Sequence, residues 1–303
     1  MSLSVLVVGE SLVDVVTRAV GEESRRAGGS PFNVAIGVAR LGIATRLATQ
    51  MGVDADGELL RQALIDSSVD LLTLAPQPAR TATAKATIAA DGSASYEFDV
   101  SWDPAELPDP TGFEAVHVGS IGATLSPGAD RVTALVADAA AAGIPVTFDP
   151  NVRLGSQDDV AELRRRYDAI ALRATVIKMS DEDAAALFPG HQLDDLVTQL
   201  AALGPLVAVT RGGEGAMIGS GGNLVEVAAA EIGVVDTIGA GDSFMAALIA
   251  GLSALSWPHK LSSDQLESLG ALASGAAAIT CMRPGADPPQ RSELQELFAK
   301  LET

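Results

Sequence analysis

The stretch DTIGAGDSF, residues 236–244, places two glycines around an alanine immediately before an aspartate and a long apolar run. A glycine-rich turn that opens a helix leaves backbone N–H groups pointing outward, with the positive end of the helix dipole behind them. Gly239, Ala240 and Gly241 are therefore predicted to bind an anionic oxygen, with Asp242 as a general base beside it. The alternative for Asp242 is a first-turn carboxylate that only stabilises the dipole.

Two common phosphate-binding motifs do not match this stretch. It lacks the GK[ST] of a P-loop, and its GAG lacks the third glycine, the early position and the downstream acid of a dinucleotide-binding fingerprint. A base beside an anion site favours instead the deprotonation of a hydroxyl while charge builds on a transferring phosphoryl group.

Around this stretch, short β-branched runs alternate with longer alanine- and leucine-rich segments of helical period. Strands are predicted at residues 4–8, 114–120, 145–149, 174–179 and 206–210. Helices are predicted to begin near residues 30, 56, 127, 158, 181, 240, 264 and 292. This alternation predicts an α/β fold, with a mostly parallel sheet and helices on both faces.

The alternation of strands and helices is interrupted at residues 81–103, which read TATAKATIAADGSASYEFDVSWD. Two strand-like runs are joined by Asp91 and Gly92, a pair that favours a hairpin turn, and no helical segment separates them. We therefore predict a β-flap that projects from the sheet.

The composition bounds the class of protein. The 303 residues are 48% hydrophobic, which suits one large globular domain. The net charge of -19 disfavours nucleic acid or an anionic membrane as the main partner, because either would be repelled. No apolar stretch is long enough to span a bilayer, no basic leader precedes the first strand, and Cys281 has no partner cysteine, so a soluble cytoplasmic protein is expected.

Ligands of open parallel sheets bind outside the carboxyl ends of the strands. Polar residues and glycines follow the predicted strands: Glu10 and Asp14; Gly119 and Ser120; Asp149, Asn151 and Arg153; Ser180 and Asp183; Thr210, Gly212 and Gly213. Each of these residues alone is equally well a turn or cap residue. Their convergence on one edge of the sheet predicts a binding site there.

Two motifs, far apart and in order, resemble the signatures of the ribokinase/fructokinase-type (PfkB) carbohydrate kinases. DTIGAGDSF at residues 236–244 resembles the C-terminal signature, and GGSPFNVAIGVARLG at residues 28–42 resembles the N-terminal signature. The similarity extends over nearly the whole chain through GE at 9–10, FDPNVR at 148–153, TRGGEGA at 210–216 and RPGADPP at 283–289. Fructokinase-like members of the family are the most similar.

The resemblance implies a ribokinase-like three-layer αβα sandwich with a small β-flap lid. It implies one carbohydrate kinase domain over residues 1–303, with the lid contributed by about residues 10–20 and 81–103. The implied reaction transfers the γ-phosphate of ATP to a sugar hydroxyl, with fructose as the expected acceptor. A homodimer that pairs through the lid is a further expectation, because exposed strand edges would otherwise be a liability.

Catalytic roles follow residue by residue from the motif matches. Asp242 would take the hydroxyl proton, and the N–H groups of Gly239, Ala240 and Gly241 would hold the developing phosphate charge. Arg153 follows a strand end, where its guanidinium would reach a phosphate. A surface arginine is the competing interpretation of Arg153.

The sugar-binding residues implied by the resemblance are Asp14, Gly28, Gly29, Asn33 and Asn151. Vicinal hydroxyls suit a carboxylate with two acceptor oxygens and an amide that both donates and accepts. Part of this motif also has a structural interpretation, because Ser30 and Pro31 suit the N-cap and the first residue of a helix.

The resemblance also implies a nucleotide site. Thr210, Gly212 and Gly215 match the nucleotide-contacting turn of the family, together with Gly239 and Gly241. A tight hairpin would demand similar glycines at 212 and 215. Residues 283–289 are expected to cover the adenine side.

Metal binding is implied at two aspartates. Many relatives carry N-x-x-E where this chain has Ser180 and Asp183, so Asp183 is expected to order Mg²⁺ through water, with a shorter reach. A helix N-cap at Ser180 with acids in the first turn explains the same residues structurally. Asp236 resembles part of the monovalent-cation site of many members, which predicts K⁺.

Other functions are also compatible with the sequence. Within the family these are a 2-keto-3-deoxygluconate kinase, a ribokinase and a nucleoside kinase, the last of which needs an aromatic floor from Phe32, Tyr96, Phe98 or Trp102. Outside it are a catalytically inactive sugar-binding regulator and a dinucleotide-dependent oxidoreductase. A neutral sugar is favoured over an acidic one, because Lys85 is the one basic residue between 81 and 103. It stands against four acids there, Asp91, Glu97, Asp99 and Asp103.

Overall fold

The computed structural model describes residues 4–18, 23–88, 94–152 and 160–301. The strands are β1 (Ser4–Val8), β2 (Leu12–Arg18), β3 (Glu23–Gly28), β4 (Ala44–Thr49), β5 (Asp70–Thr73), β6 (Ala82–Ile88), β7 (Ala94–Asp99), β8 (Ala115–Gly119), β9 (Val146–Asp149), β10 (Val176–Ser180), β11 (Leu206–Thr210), β12 (Ala216–Ser220) and β13 (Asn223–Val227). The helices are α1 (Ser30–Arg40), α2 (Ala55–Asp66), α3 (Ser120–Thr124), α4 (Gly128–Ala141), α5 (Val160–Ala171), α6 (Asp181–Leu187), α7 (Leu193–Ala201), α8 (Ala240–Ala254), α9 (Ser263–Cys281) and α10 (Gln295–Leu301).

A large sheet forms the centre of the molecule, with strand order β13-β12-β11-β10-β9-β8-β1-β4-β5. The pairings from β5 across to β11 are parallel, and β12 and β13 continue the sheet in antiparallel fashion. The five strands that the sequence predicts lie together in the parallel part as β1, β8, β9, β10 and β11. Their nearly continuous apolar runs suit strands that are covered on both faces.

The sheet is sandwiched between two layers of helices. Val5 and Val7 of β1 belong to the apolar cluster that includes residues of α1, α8 and α9. The alternate residues Leu6 and Val8 belong to a second cluster with residues of α4, α6 and α7. Because successive side chains of a strand point to opposite faces, β1 is buried from both sides. This confirms the predicted three-layer α/β architecture.

The register of the parallel strands brings their carboxyl ends to one edge. Gly119, the last residue of β8, is paired with Asp149, the last residue of β9. Ser180 at the end of β10 is likewise paired with Thr210 at the end of β11. The polar residues that follow these strands therefore lie along the same edge, as the sequence predicts.

A second, small sheet has the strand order β3-β2-β6-β7. Its β6–β7 hairpin confirms the strands predicted within residues 81–103, whereas the predicted turn at Asp91 and Gly92 lies outside the described residues. One face of the small sheet carries the paired residues Arg26, Asp14, Ala84 and Phe98, and the opposite face carries Arg25, Val15, Lys85 and Glu97. We call the face with Asp14 the inner face.

Several elements lie in segments for which the sequence pattern predicts none, among them β3, β4, β12, α3 and α7. The strand β3 reads ESRRAG and is too polar to be recognised by its pattern. Its strand conformation depends on antiparallel pairing with β2, which is a tertiary effect rather than a local preference. Among the described helices, none is both long enough and apolar enough to cross a bilayer.

Candidate active site

The glycine-rich turn that precedes α8 has the conformation that its sequence predicts. Gly239 is the N-cap residue and has a φ of 77°, a left-handed conformation that favours glycine. A Cβ atom on Gly239 would lie 2.5 Å from the Cβ of Ala286, so the turn packs closely against the loop of residues 283–289. No side-chain hydrogen bond caps the N-terminus of this helix. The N–H of Ala240 points back to the carbonyl of Thr237 at 3.3 Å.

The carboxylate of Asp242, in the first turn of α8, is held by two side chains of α1. Ser30 Oγ donates a hydrogen bond to Oδ1 at 2.6 Å, and Asn33 Nδ2 donates one to Oδ2 at 2.8 Å. The N-terminal ends of α1 and α8 therefore meet at this carboxylate. The two hydrogen bonds fix its orientation, as a general base requires.

This arrangement corrects the interpretation of Ser30 as a helix N-cap. The N-cap of α1 is Gly29, which makes no side-chain cap, and Ser30 is the first helical residue. The hydroxyl of Ser30 is used for Asp242 instead of for its own helix. Sequence alone could not reveal this, because the two residues are 212 positions apart.

Asp14 lies on the inner face of the small sheet, against the backbone of Gly28. A Cβ atom on Gly28 would lie 2.3 Å from Asp14 Oδ2, so a glycine is needed for the carboxylate to lie there. Gly28 is two residues before Ser30, which binds Asp242. The predicted sugar-binding carboxylate and the predicted base thus approach the same short segment of chain.

A buried polar group lies where β1, β8 and β9 end. Glu10 accepts a hydrogen bond from the N–H of Gly122 at 2.7 Å, and Asn151 Nδ2 donates to Ser120 Oγ at 3.3 Å. Ser120 and Asn151 have positive φ values of 53° and 38°, which are uncommon for residues other than glycine. Such strained backbone clusters at functional sites. Asn151 therefore lies at the predicted edge, and Ser120 connects it to the carboxylate of Glu10, which is 3% exposed.

Burial raises the pKa of Glu10 from 4.5 to about 7, against the hydrogen bonds that favour its charged form. The folded protein therefore holds the Glu10 proton more tightly than the unfolded chain does. The protonated side chain therefore stabilises the folded state relative to the ionised one. This contribution to the free energy of unfolding is fully present below pH 4.5 and is lost as the pH rises through about 7.

We expect the Glu10→Gln substitution to remove this pH dependence. Between pH 5.5 and 8 the free energy of unfolding of the wild type should fall relative to that of the variant, by an amount on the order of 2 to 3 kcal/mol. Urea unfolding of both proteins across this range measures the difference. Parallel stability curves would contradict the assignment.

A buried ion pair lies beneath the first turn of α8. Lys178 Nζ on β10 is 2.9 Å from Asp149 Oδ2 at the end of β9. Burial raises the pKa of Asp149, against the lowering effect of Lys178, and the charges of Asp183 and Asp242 raise it further. Lys178 stands out in sequence only as a lysine within the apolar run VIKM.

Asp183 forms a reciprocal capping box with Ser180 at the start of α6. Ser180 Oγ accepts from the N–H of Asp183 at 3.0 Å, and Asp183 Oδ2 accepts from the N–H of Ser180 at 2.8 Å. The other oxygen, Oδ1, accepts from the N–H of Val152 at 2.7 Å. The structural interpretation of Ser180 is confirmed, and the metal role of Asp183 stays a prediction.

Thr210, Gly212 and Gly215 connect β11 to β12. The N–H of Arg211 donates to the carbonyl of Gly215 at 2.7 Å, which closes a tight hairpin. The hairpin explains the glycines, and the nucleotide contact stays a prediction. Thr210 is at the same sheet edge as Ser180.

Asp236 joins three parts of the chain. Its carboxylate accepts from the N–H groups of Ile238 at 3.1 Å and of Gly285 at 2.8 Å. Arg26 of β3 lies 3.6 Å from the same carboxylate. Asp236 therefore connects the turn before α8 to the 283–289 loop and to the small sheet. Arg153, the remaining predicted residue, lies outside the described residues.

Residues 2–293 match the pfkB family of carbohydrate kinases. The chain belongs to this family. It is therefore an ATP-dependent sugar kinase, and the oxidoreductase alternative is wrong. A carboxylate beside a glycine-lined helix start suits phosphoryl transfer, which depends on positioning and on electrostatic stabilisation.

Known kinases are similar to this chain over more than nine-tenths of its residues. A fructokinase of Klebsiella pneumoniae is 31% identical over 309 residues, covering 96% of this chain and 100% of that protein. An aminoimidazole riboside kinase of Salmonella typhimurium is 31% identical over 288 residues, covering 91% and 89%. The structure of Vibrio cholerae fructokinase with fructose, ADP and a calcium ion bound superimposes with a TM-score of 0.80 at 27% identity, covering 99% of each chain.

Proposed function

We propose that this kinase transfers the γ-phosphate of ATP to a hydroxyl of a neutral ketose, with fructose as the acceptor. The observation that carries the proposal is the carboxylate of Asp242, oriented by Ser30 and Asn33 beside the anion-binding turn of α8. The choice of fructose is supported by the full-length similarity to fructokinases.

In the proposed reaction, the sugar binds with its hydroxyls at Asp14, between the small sheet and the 28–30 segment. Asp242 accepts the proton of the reacting hydroxyl as its oxygen attacks the γ-phosphorus and the bond to the β-phosphate oxygen breaks. Negative charge on the transferring group is stabilised by the N–H groups and the dipole at the start of α8.

We also propose that Mg²⁺ accompanies the nucleotide. Among the described residues, no group of three or more His, Cys, Asp or Glu side chains could hold a metal alone. The residues present fit an ion that is carried by phosphates and contacted through water, as Mg²⁺ commonly is. Each carboxylate oxygen of Asp183 keeps a second lone pair for such a water.

A monovalent cation at Asp236 is a separate proposal. The carboxylate already has a neighbouring positive charge, since Arg26 lies 3.6 Å away and is half exposed. K⁺ binding here would require the guanidinium to move aside. Activity in K⁺ compared with Na⁺ at equal ionic strength measures the dependence.

The small sheet carries basic residues outside residues 81–103, and these bear on whether the acceptor is neutral or acidic. Lys85 lies on the face opposite to the inner face, whereas Arg26 of β3 lies on the inner face, directly across from Asp14 in the β2–β3 register. Arg26 therefore places a cation on the inner face, next to Asp14 in the strand register. The position of Arg26 on the inner face favours an acidic sugar as the second candidate acceptor.

The described side chains offer a nucleoside base limited aromatic surface; the side chain of Tyr96 lies outside them. Phe32 and Trp102 are core residues that are 1% and 2% exposed, so they cannot form a floor for a base. Phe98 lies on the inner face of the small sheet and is 51% exposed. Because the chain is similar to an aminoimidazole riboside kinase, a riboside is included among the acceptors to be compared.

The deciding measurement is kcat/KM for fructose, ribose, 2-keto-3-deoxygluconate and aminoimidazole riboside with the same Mg-ATP and K⁺. We expect fructose to give the highest value, and Arg26→Gln to change it by less than about threefold. A higher value for the acidic sugar that is lost in Arg26→Gln would overturn the neutral-sugar proposal. No turnover of fructose would likewise overturn the fructose proposal.

The small sheet is further proposed to close over the bound sugar as a lid, because Asp14 projects from it and water must be kept from the γ-phosphate. Pairing with a second copy of the chain through this lid stays a prediction.

A further inference from the structure

The buried pair of Lys178 and Asp149 has features that the proposed roles do not use. The two residues are 4% and 0% exposed, and their charged atoms are 2.9 Å apart. Charged side chains are rarely buried so completely, because the loss of hydration is costly. An apolar pair would serve packing equally well at this position, which is the centre of the large sheet.

Lys178 lies directly beneath the anion-binding turn. Its Nζ atom is 2.7 Å from the place where a Cβ on Gly241 would be, so the ammonium fills the space that the glycine leaves. The ammonium is thus next to the positive end of α8. The carboxylates of Asp149 and Asp242 balance these two neighbouring positive charges, so the ammonium is held in place beside the turn.

The pair is incompletely satisfied within the described part of the chain. Asp149 Oδ1 is buried and has no hydrogen-bond partner there. Buried polar atoms without a partner are uncommon and call for an explanation. Burial works to lower the pKa of Lys178, but the charges of Asp149, Asp242 and Asp183 outweigh it and raise the pKa, so the side chain is an ammonium.

We propose that Lys178, balanced by Asp149, is a positioning residue for phosphoryl transfer. Its ammonium holds the first turn of α8 over β10 and adds positive charge behind the N–H groups that face the transferring phosphoryl group. In a site shielded from water, such a fixed charge acts strongly on developing negative charge. The inference concerns the transfer step and is independent of which sugar is the acceptor.

Replacing both Lys178 and Asp149 with neutral residues distinguishes a structural role of the ion pair from a role in phosphoryl transfer. Removing one partner of a buried ion pair destabilises a protein, whereas replacing both with neutral residues of similar volume is often tolerated. Three variants are therefore needed: Lys178→Met, Asp149→Asn and the double variant. Lys260→Met is the matched control, since Lys260 lies beside Gly221 in the β12–β13 turn, at the opposite edge of the sheet.

Thermal unfolding and steady-state kinetics with Mg-ATP and the best acceptor are measured for each variant. We expect the double variant to regain the stability lost in the single variants, with kcat still lowered by about 10- to 100-fold and the KM for sugar unchanged. Lys260→Met should match the wild type in both measurements.

The inference is overturned if the double variant recovers the wild-type kcat along with its stability, because the pair is then structural only. A double variant that does not fold also counts against it, since the charges are then needed for folding. Failure of the fructose proposal would appear differently, as a change in the preferred acceptor with the kcat deficit of the double variant intact.

Discussion

Asp242→Asn is expected to lower kcat by about 10² to 10⁴ while changing the KM values for sugar and ATP little. The carboxylate is already oriented by Ser30 and Asn33, so an amide of the same shape will occupy the same place. The Ser30 hydroxyl can reverse to accept from the new NH₂ group, and Asn33 can still donate to the remaining oxygen. The variant should therefore fold and bind, but it has no carboxylate to take the hydroxyl proton.

Steady-state kinetics measures the loss of kcat, and calorimetry measures whether the sugar still binds. Asp264→Asn is the matched control, because Asp264 is in the first turn of α9 and its loss removes the same charge from another helix start. If Asp242→Asn keeps most of the wild-type kcat, Asp242 is not the base and only stabilises the helix dipole.

Asp14→Asn is expected to raise the KM for sugar by about 10²-fold or more and to leave the KM for ATP nearly unchanged. Hydrogen bonds to a charged group are worth about 1.5 to 3 kcal/mol each, and a carboxylate can accept from two hydroxyls. The close approach of Asp14 Oδ2 to Gly28 fixes the carboxylate beside the segment that leads to Asp242.

The control for this change lies on the same small sheet. Asp99 on β7 is paired with Thr83, on the face opposite to Asp14, and is exposed. Asp99→Asn removes the same charge from the sheet without touching its inner face. Equal, small effects of both substitutions on the sugar KM would place the sugar elsewhere.

Features encoded locally could be predicted from the sequence. The apolar runs of β1, β8, β9, β10 and β11 indicate strands buried on both faces, and parallel strands must present their carboxyl ends at a common edge. The glycine-rich turn before α8 and the capping box of α6 also depend on residues that are close in the chain. Family membership was predicted for the same reason, since short motifs carry it.

Strands that depend on pairing could not be predicted in this way. The polar strand β3 is held by antiparallel pairing with β2. Its presence adds Arg26 to the inner face of the small sheet, next to Asp14 in the strand register. Residues 81–103 do not encode this charge, because β3 is distant from them in the sequence.

The sequence by itself determined the parallel α/β core, the glycine-rich turn before α8 and the choice of Asp242 as the candidate base, because propensity, glycine conformation and hydrophobic period act within a few residues. Only the tertiary structure decided the partners of that base and of the turn. Ser30 and Asn33 reach Asp242 because α1 packs beside α8, and Lys178 reaches Gly241 because β10 lies beneath it. Contacts between residues so far apart depend on how whole elements pack, which no local pattern encodes.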